Sequence, residues 1–289
     1  MEGLLHQLIA GFATGGIYAS LALALVMIYQ ATHHVNFAQG EMAMFSTYLS
    51  WGMINAGFPY WVAFGFTLLL SFVLGMTVER VFIRRMEHAP VLSVVIVFLA
   101  LSMMFNSLAA YLFGTTIQTF PSPFPETAWR NSYVGSHEIG VVLVTLAVVA
   151  VLFVFFRFTT LGLAMRAVAD NANSSRLVGI RVGRMLALGW GLAAALGSIA
   201  GMMVAPVVFL EPNMMGGLQL YAFAAALLGG IDNPVGAVLG GFLVGMLENV
   251  IGAYWIGTEL KLTVALGLIV LVLIFKPSGL LGKHAVSRV

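Results

Sequence analysis

The chain has 289 residues, of which 61% are apolar and only 8% charged, with a mean hydropathy of +1.01. Soluble domains carry about 25% charged residues, so this composition excludes a soluble globular protein. A net charge of +2 is too small for a nucleic-acid-binding surface, and the absence of cysteine excludes a disulfide framework and thiol chemistry.

Read from the start, Met1-Glu2-Gly3 lacks the basic stretch of a cleavable signal peptide, so the first apolar segment is expected to be a retained span. Apolar segments lie at Leu8–Tyr29, Met42–Ala56, Tyr60–Phe82, Val91–Phe113, Ile139–Phe156, Met185–Phe209, Leu218–Ile231, Val235–Ile256 and Leu262–Phe275. A helix needs about 20 apolar residues to cross a bilayer. Met42–Ala56 and Leu218–Ile231 fall short, which points to tilted, broken or re-entrant elements covered by protein or by a watery cavity. The expected fold is therefore all-α, a polytopic transmembrane bundle of about eight or nine membrane segments. Residues 1–289 are expected to form a single transmembrane domain. The pairs Gly11/Gly15, Gly197/Gly201, Gly236/Gly240 and Gly241/Gly245 have the spacing that lets helix backbones approach closely.

Lysine and arginine set the expected orientation. Arg80, Arg84 and Arg85 follow the third segment, Arg157 to Arg184 occupy the middle of the chain, and Lys276, Lys283 and Arg288 follow the last segment. Only Arg130 and Lys261 lie outside these clusters. The positive-inside rule puts all three clusters and the C-terminus in the cytoplasm, and the loop Gly114–Glu138 outside. Nine spans then place the N-terminus outside, and eight place it inside.

The stretch Thr159–Arg184 is a polar island between long apolar runs. Leu163–Ala169 is composed of helix formers, and Asp170, Asn171 and Asn173 supply turn and cap chemistry. A second short helical turn is expected over Ser174–Val178, stopped by Gly179. Arg166 and Arg176 dominate the polar surface, and Leu177, Val178 and Ile180 offer apolar contact points. Two readings stand: a solvated loop with positive-inside arginines, or a helical knob that docks into a soluble partner.

Polar groups inside apolar segments usually face a cavity or another helix. The densest set is His33, His34, Asn36, Gln39 and Glu41. Asn36 and Gln39 share a face if both are helical. The same group also suits the start of the second segment, capping free N–H groups, with Glu41 favoured by the helix dipole. Asn106 in mid-segment and Glu248-Asn249 near a segment end are candidate path residues or interhelical hydrogen-bonding groups. Gly229–Pro234 interrupts an apolar stretch, as a broken helix or as a tight turn. The substrate-path candidates are thus Asn36, Gln39, Glu41, Asn106 and Glu248.

Four stretches together resemble one family, the inner-membrane permease of branched-chain amino-acid ABC importers. They are GGIYASLALALVMIYQATHHVNFAQGEMAMF at Gly15–Phe45, the pair Glu79-Arg80, the island with Arg166-Ala167, Asn171 and Gly179-Ile180, and Leu227–Asn249 together with Lys276–Gly282. They run in the family's order across nearly the whole chain. His33-His34 stand where smaller residues are commoner, and Ile231-Asp232-Asn233 is more polar than the usual turn. The resemblance implies an ABC importer permease fold and a transport subunit rather than an enzyme. Its implied partners are the lipid bilayer, a second permease of the same or a different sequence, two cytoplasmic ATPase subunits and an external solute-binding protein. It implies residence in the bacterial inner membrane and makes the island the coupling loop, with Arg166, Asp170, Asn171, Asn173, Arg176, Leu177, Gly179 and Ile180 facing the ATPase. Aliphatic amino acids are the expected solute, with urea, short amides and small organic acids as alternatives.

The residues agree on the division of labour. A phosphate-cradling loop needs G-x-x-x-x-G-K-[ST], and the only Gly-Lys pair, Gly282-Lys283, is followed by His284. No metal or cofactor is expected in this chain, and ATP is expected on the partner subunits. An intramembrane hydrolase lacks its frame, since Ser198 is not in a G-x-S-x-G setting and no acid pair is suitably spaced. A stand-alone channel or ion-coupled carrier accommodates broken helices but gives the arginine-rich island no task.

Overall fold

The structure, a computed structural model, describes residues 2–32, 34–86, 89–124, 135–257 and 260–282. His33, Arg130, Lys283 and Arg288, named above, lie outside the described residues. Eleven α-helices account for most of the described chain: α1 (Glu2–Thr32), α2 (Gln39–Asn55), α3 (Tyr60–Val78), α4 (Val91–Phe113), α5 (Ser136–Phe158), α6 (Thr160–Asp170), α7 (Ala172–Leu177), α8 (Val182–Val208), α9 (Met215–Gly229), α10 (Pro234–Ile251) and α11 (Lys261–Phe275). The described residues contain no strand, only an isolated antiparallel bridge between Gln118 and Leu210. Six of the helical segments are long and apolar enough to cross a membrane, and Met215–Gly229 and Lys261–Phe275 are shorter apolar helices.

Burial sorts the long helices. The first and eighth are largely buried, while α3, α4 and α5 present most of their apolar side chains outward. Trp61, Phe66, Leu69 and Val73 on α3, and Leu92, Ile96, Met103 and Tyr111 on α4, are all exposed. In water this surface would drive aggregation; in a bilayer it is the solvent-compatible face. The 17-residue α2 is different, because Gln39, Gly40, Met42–Thr47, Tyr48 and Ser50 are all buried. A short helix with polar residues on its sides persists at membrane depth only under such protein cover.

The chain forms two compact units, Met1–Val26 with Phe124–Leu143 and Gly216–Val289, and Met27–Pro123 with Val144–Met215. In the first, glycines bring α1 and α10 into backbone contact. A Cβ on Gly11 would lie 2.7 Å from Met246 Cα, and one on Gly245 would lie 2.4 Å from Gly15 N. No side chain fits between these backbones, so the two glycine pairs set the helix separation. The turn Gly229–Pro234 is a tight connection rather than a broken helix. Gly230 has φ +114, and Asn233 caps α10 by accepting hydrogen bonds from Val235 N (3.0 Å) and Gly236 N (3.2 Å).

Asn233 also donates to the carbonyl of Leu281 at 2.9 Å, while Leu280 N and Leu281 N donate to the carbonyls of Leu228 and Gly229. The Lys276–Gly282 stretch is thereby stitched onto the α9–α10 turn. Asn233 thus has a structural role in this polar turn. Asn233→Ala is expected to destabilise the bundle by about 1–2 kcal/mol through the lost cap alone. An unchanged melting temperature of the detergent-solubilised variant would contradict that assignment.

In the second unit, α8 is the hub. Gly197 and Gly201 face α2, where an added Cβ would meet Gln39 Nε2 at 2.4 Å and Thr47 Oγ1 at 2.3 Å. Gly75 of α3 sits against the backbone of Trp190, and Gly191 against the ring of Phe72. Trp190 is fully buried and stacks on Phe98 of α4 at 6.0 Å. Beyond Val78, α3 continues as a π-helical turn, Glu79–Ile83, and a 3-10 turn, Arg84–Met86.

Candidate functional site

The polar island folds as two short helices joined at Asn171. Thr159 caps α6 by accepting from Gly162 N at 3.0 Å. Asn171 ends α6 in an extended conformation and caps α7, its Oδ1 accepting from Ser174 N at 2.8 Å. Gly179, at φ +85, terminates α7, in the left-handed conformation that glycine adopts without a Cβ clash. The helix of Leu163–Ala169 and the turn of Ser174–Val178 expected from sequence are therefore present, each extended toward its N-terminus.

Around this frame, Arg166, Asp170, Asn171, Asn173, Arg176 and Gly179 are exposed, and Ile180 is half-buried. The tip carries two apolar side chains in the open: Leu177 is 90% exposed and Val178 is 76% exposed. Large side chains exposed on a polar knob are unlike those on α3 or α4, which belong to continuous apolar faces. Here they form a small apolar point on a basic and polar collar.

A second polar group lies near the N-terminus of α2. Asn36 precedes the helix rather than sharing a face with Gln39 on it. Its Oδ1 accepts from Ala38 N at 3.0 Å and its Nδ2 donates to Gln39 Oε1 at 3.4 Å. Gln39 in turn donates to the carbonyl of Ala193 in α8 at 2.9 Å. Both residues are fully buried, so they hold the start of α2 against α8. Glu41 is half-buried and accepts from Asn106 Nδ2 of α4 at 3.3 Å. The same Nδ2 reaches the carbonyl of Pro212 at 2.8 Å and Oδ1 of Asn213 at 3.1 Å. The loop carrying these acceptors is placed by Phe209, at φ +65, and by the paired backbone bonds of Leu210 with Gln118.

Glu248 lies in the other unit, in a network of its own. Tyr18 of α1 donates to Glu248 Oε2 at 2.7 Å, and Lys261 approaches Oε1 at 3.9 Å while donating to Asn249 Oδ1 at 2.7 Å. Lys261 is one of the two basic residues outside the orientation clusters, and this pairing accounts for its place in an apolar region.

One arrangement was not apparent from sequence. Glu79, only 1% exposed, is bridged by Arg84, whose Nη2 lies 2.7 Å from Oε2 and whose Nε lies 3.1 Å from Oε1. The same Nη2 donates to the carbonyl of Gly183 in the first turn of α8. The signal available was the Glu79-Arg80 pair, but the partner is five residues on, reached through the π-helical turn. A cavity of about 220 Å³ adjoins the pair, with Ala172 and Arg176 of α7 and His34 among its lining. Among the described residues, no cluster of three or more His, Asp or Glu side chains is placed to hold a metal ion.

Residues 7–273 match the family described as the branched-chain amino acid transport system permease component. The permease protein LivH of the high-affinity branched-chain amino acid transport system of Salmonella typhimurium is 31% identical, aligned over 99% of this chain and 97% of its own length. LivH of Escherichia coli K12 is 30% identical over the same shares. BraD of Pseudomonas aeruginosa, named for the same kind of system, is 29% identical over 99% of this chain and 98% of its own. The solved structure of PsaBC from Streptococcus pneumoniae in complex with Fab aligns with a TM-score of 0.48 at 12% identity, over 95% of this chain and 92% of that one. With the family match running almost from end to end, this chain belongs to the branched-chain amino acid transport system permease family.

Proposed function

We propose that this chain, acting as a single permease domain, forms half of the membrane pore of an ATP-driven importer for branched-chain amino acids. A second permease of the same or another sequence completes the pore, two cytoplasmic ATPase subunits drive it, and an external binding protein delivers the solute. The C-terminus and the α6–α7 knob lie on the cytoplasmic side of the inner membrane. The chain itself is a transport subunit: ATP is bound and hydrolysed on the partners.

The observation that carries this reading is the knob. A capped two-helix projection, with Leu177 and Val178 exposed at its tip and exposed Arg166 and Arg176 on its two helices, is the shape of a contact made to another subunit. In this reading α7 seats in the ATPase, and Asp170, Asn171, Asn173, Gly179 and Ile180 hold its shape and rim. Of the polar groups in the apolar region, Glu41 and Asn106 are the stronger candidates for the solute path, because they are less enclosed than Asn36 and Gln39. Glu248 contributes through its link to Lys261.

Uptake of labelled leucine by proteoliposomes holding the full assembly, with ATP inside and loaded binding protein outside, is expected to exceed the ATP-free control. Uptake of labelled urea instead would move the solute to another class while leaving the importer intact. Equal leucine and urea uptake without ATP would show a channel and remove the proposal.

A further inference from the structure

The Glu79–Arg84 pair sits where a moving knob would have to act on the bundle. Three observations define its setting. The pair joins the extended end of α3 to the first turn of α8, through the carbonyl of Gly183. Further along the same seam, Gly75 lies against the backbone of Trp190 so closely that a Cβ would be 2.4 Å from its carbonyl oxygen. Finally, α7 lines a cavity beside the pair, with Arg176, Ala172, His34 and Arg84 among its lining.

These facts constrain how force travels. A cavity transmits nothing, whereas packed backbone and a multidentate ion pair transmit displacement with little give. Both α6 and α7 also pack on α8, which α7 joins through the short link Val178–Arg181, so a push on the knob enters the bundle at α8. At the start of α8, Arg84 adds a polar tie between that helix and the end of α3, two helices that pack on each other along the rest of the seam. The guanidinium uses its fixed fork on one buried carboxylate and keeps a hydrogen for the Gly183 carbonyl, a geometry that lysine cannot reproduce. The π-helical turn is what carries Arg84 around to this position, and such turns recur where a helix serves more than its own packing.

We propose that Arg84 is a positioning residue for energy coupling, locking α3 to α8 so that displacement of the α6–α7 knob moves both helices as one body. This rests on the importer reading above and adds the joint through which the motor's motion reaches the membrane helices. Arg84 touches neither solute nor nucleotide in this scheme; it acts through α8.

The test uses the complete complex in proteoliposomes, with leucine-loaded binding protein and phosphate release measured beside leucine uptake. In Arg84→Ala, the ATPase subunits are expected to stay bound and hydrolysis to continue, while leucine taken up per ATP falls about fivefold or more. Arg84→Lys should fall in between, and Glu79→Gln should match Arg84→Ala, with the double variant no worse than either. A smaller fall in uptake per ATP in Arg84→Ala would overturn the proposal. So would failure of both Arg84→Ala and Arg84→Lys to assemble, since the pair would then be a structural clamp only. If the wild-type complex shows no ATP-dependent leucine uptake, the importer reading fails instead, and the two failures are told apart by that control.

Discussion

Gly245→Leu is expected to abolish folded permease, and Gly245→Ala to weaken it measurably. A Cβ at this position would lie 2.4 Å from Gly15 N, 2.5 Å from Gly11 O and 2.5 Å from Gly15 Cα. All three are backbone atoms of a helix, so no rotamer change relieves the clash and α1 must move away from α10. Moving it disturbs two further contacts of the same kind, Gly241 against Ala19 and Gly15 against Phe242. It also draws Tyr18 away from Glu248, which is 4% exposed, stripping a hydrogen bond from a buried carboxylate. Overpacking by a single methyl costs about 1–3 kcal/mol, and leucine adds three more carbons. The control is Gly65→Ala on α3, where an added Cβ meets nothing within 4 Å. That change removes a glycine from a helix and should be neutral or stabilising by about 0.5–1 kcal/mol. Melting of the detergent-solubilised variants separates the two sites; equal behaviour of Gly245→Ala and Gly65→Ala would remove the backbone-contact account.

The contrast between these glycines marks what a linear reading can reach. The spacing of Gly11/Gly15 and Gly241/Gly245 announces close helix approach, but nothing in one sequence says that these two pairs face each other. Gly197/Gly201 has the same spacing and instead receives the side chains of Gln39 and Thr47. Helix limits were legible because hydrophobic runs end at strong signals: Pro90 before α4, Gly114 after it, Asn233-Pro234 before α10. The island was legible for the same reason, since Asn171 and Gly179 act within three or four residues of themselves. Pairings across the fold were not. Tyr18 and Glu248 are 230 positions apart, and Lys261 finds Asn249 only because α10 and α11 pack together. Asn36 and Gln39 would share a face only if both were helical; they do meet, but Asn36 is a loop residue whose side chain accepts from the backbone of Ala38. Arg84 reaches Glu79 at a spacing of five, which the usual three-and-four rule for helices does not anticipate.

Leu177→Asp and Val178→Asp are expected to release the ATPase subunits while leaving the bundle intact. Leu177 is 90% exposed and Val178 76% exposed, so both contribute little to the packing of this chain and its melting should change little. Their removal from water on docking supplies about 1.5–3 kcal/mol each, and a carboxylate forced into the same apolar seat adds a desolvation cost. Loss of one anchor should therefore weaken retention by at least about tenfold, and loss of both by about a hundredfold. Asn171→Ala acts on the same contact by a different route. It removes the cap of α7, which at six residues cannot hold a helical form by propensity alone, so the knob loses its shape while keeping its apolar tip. Retention should fall less than in the aspartate variants. Ser174→Ala, at an exposed position whose side chain makes no cap, is the control expected to behave as wild type. Co-purification of the ATPase subunits with each variant at matched expression gives the order directly. Full retention in the Leu177→Asp, Val178→Asp double variant would mean that the motor grips the permease elsewhere.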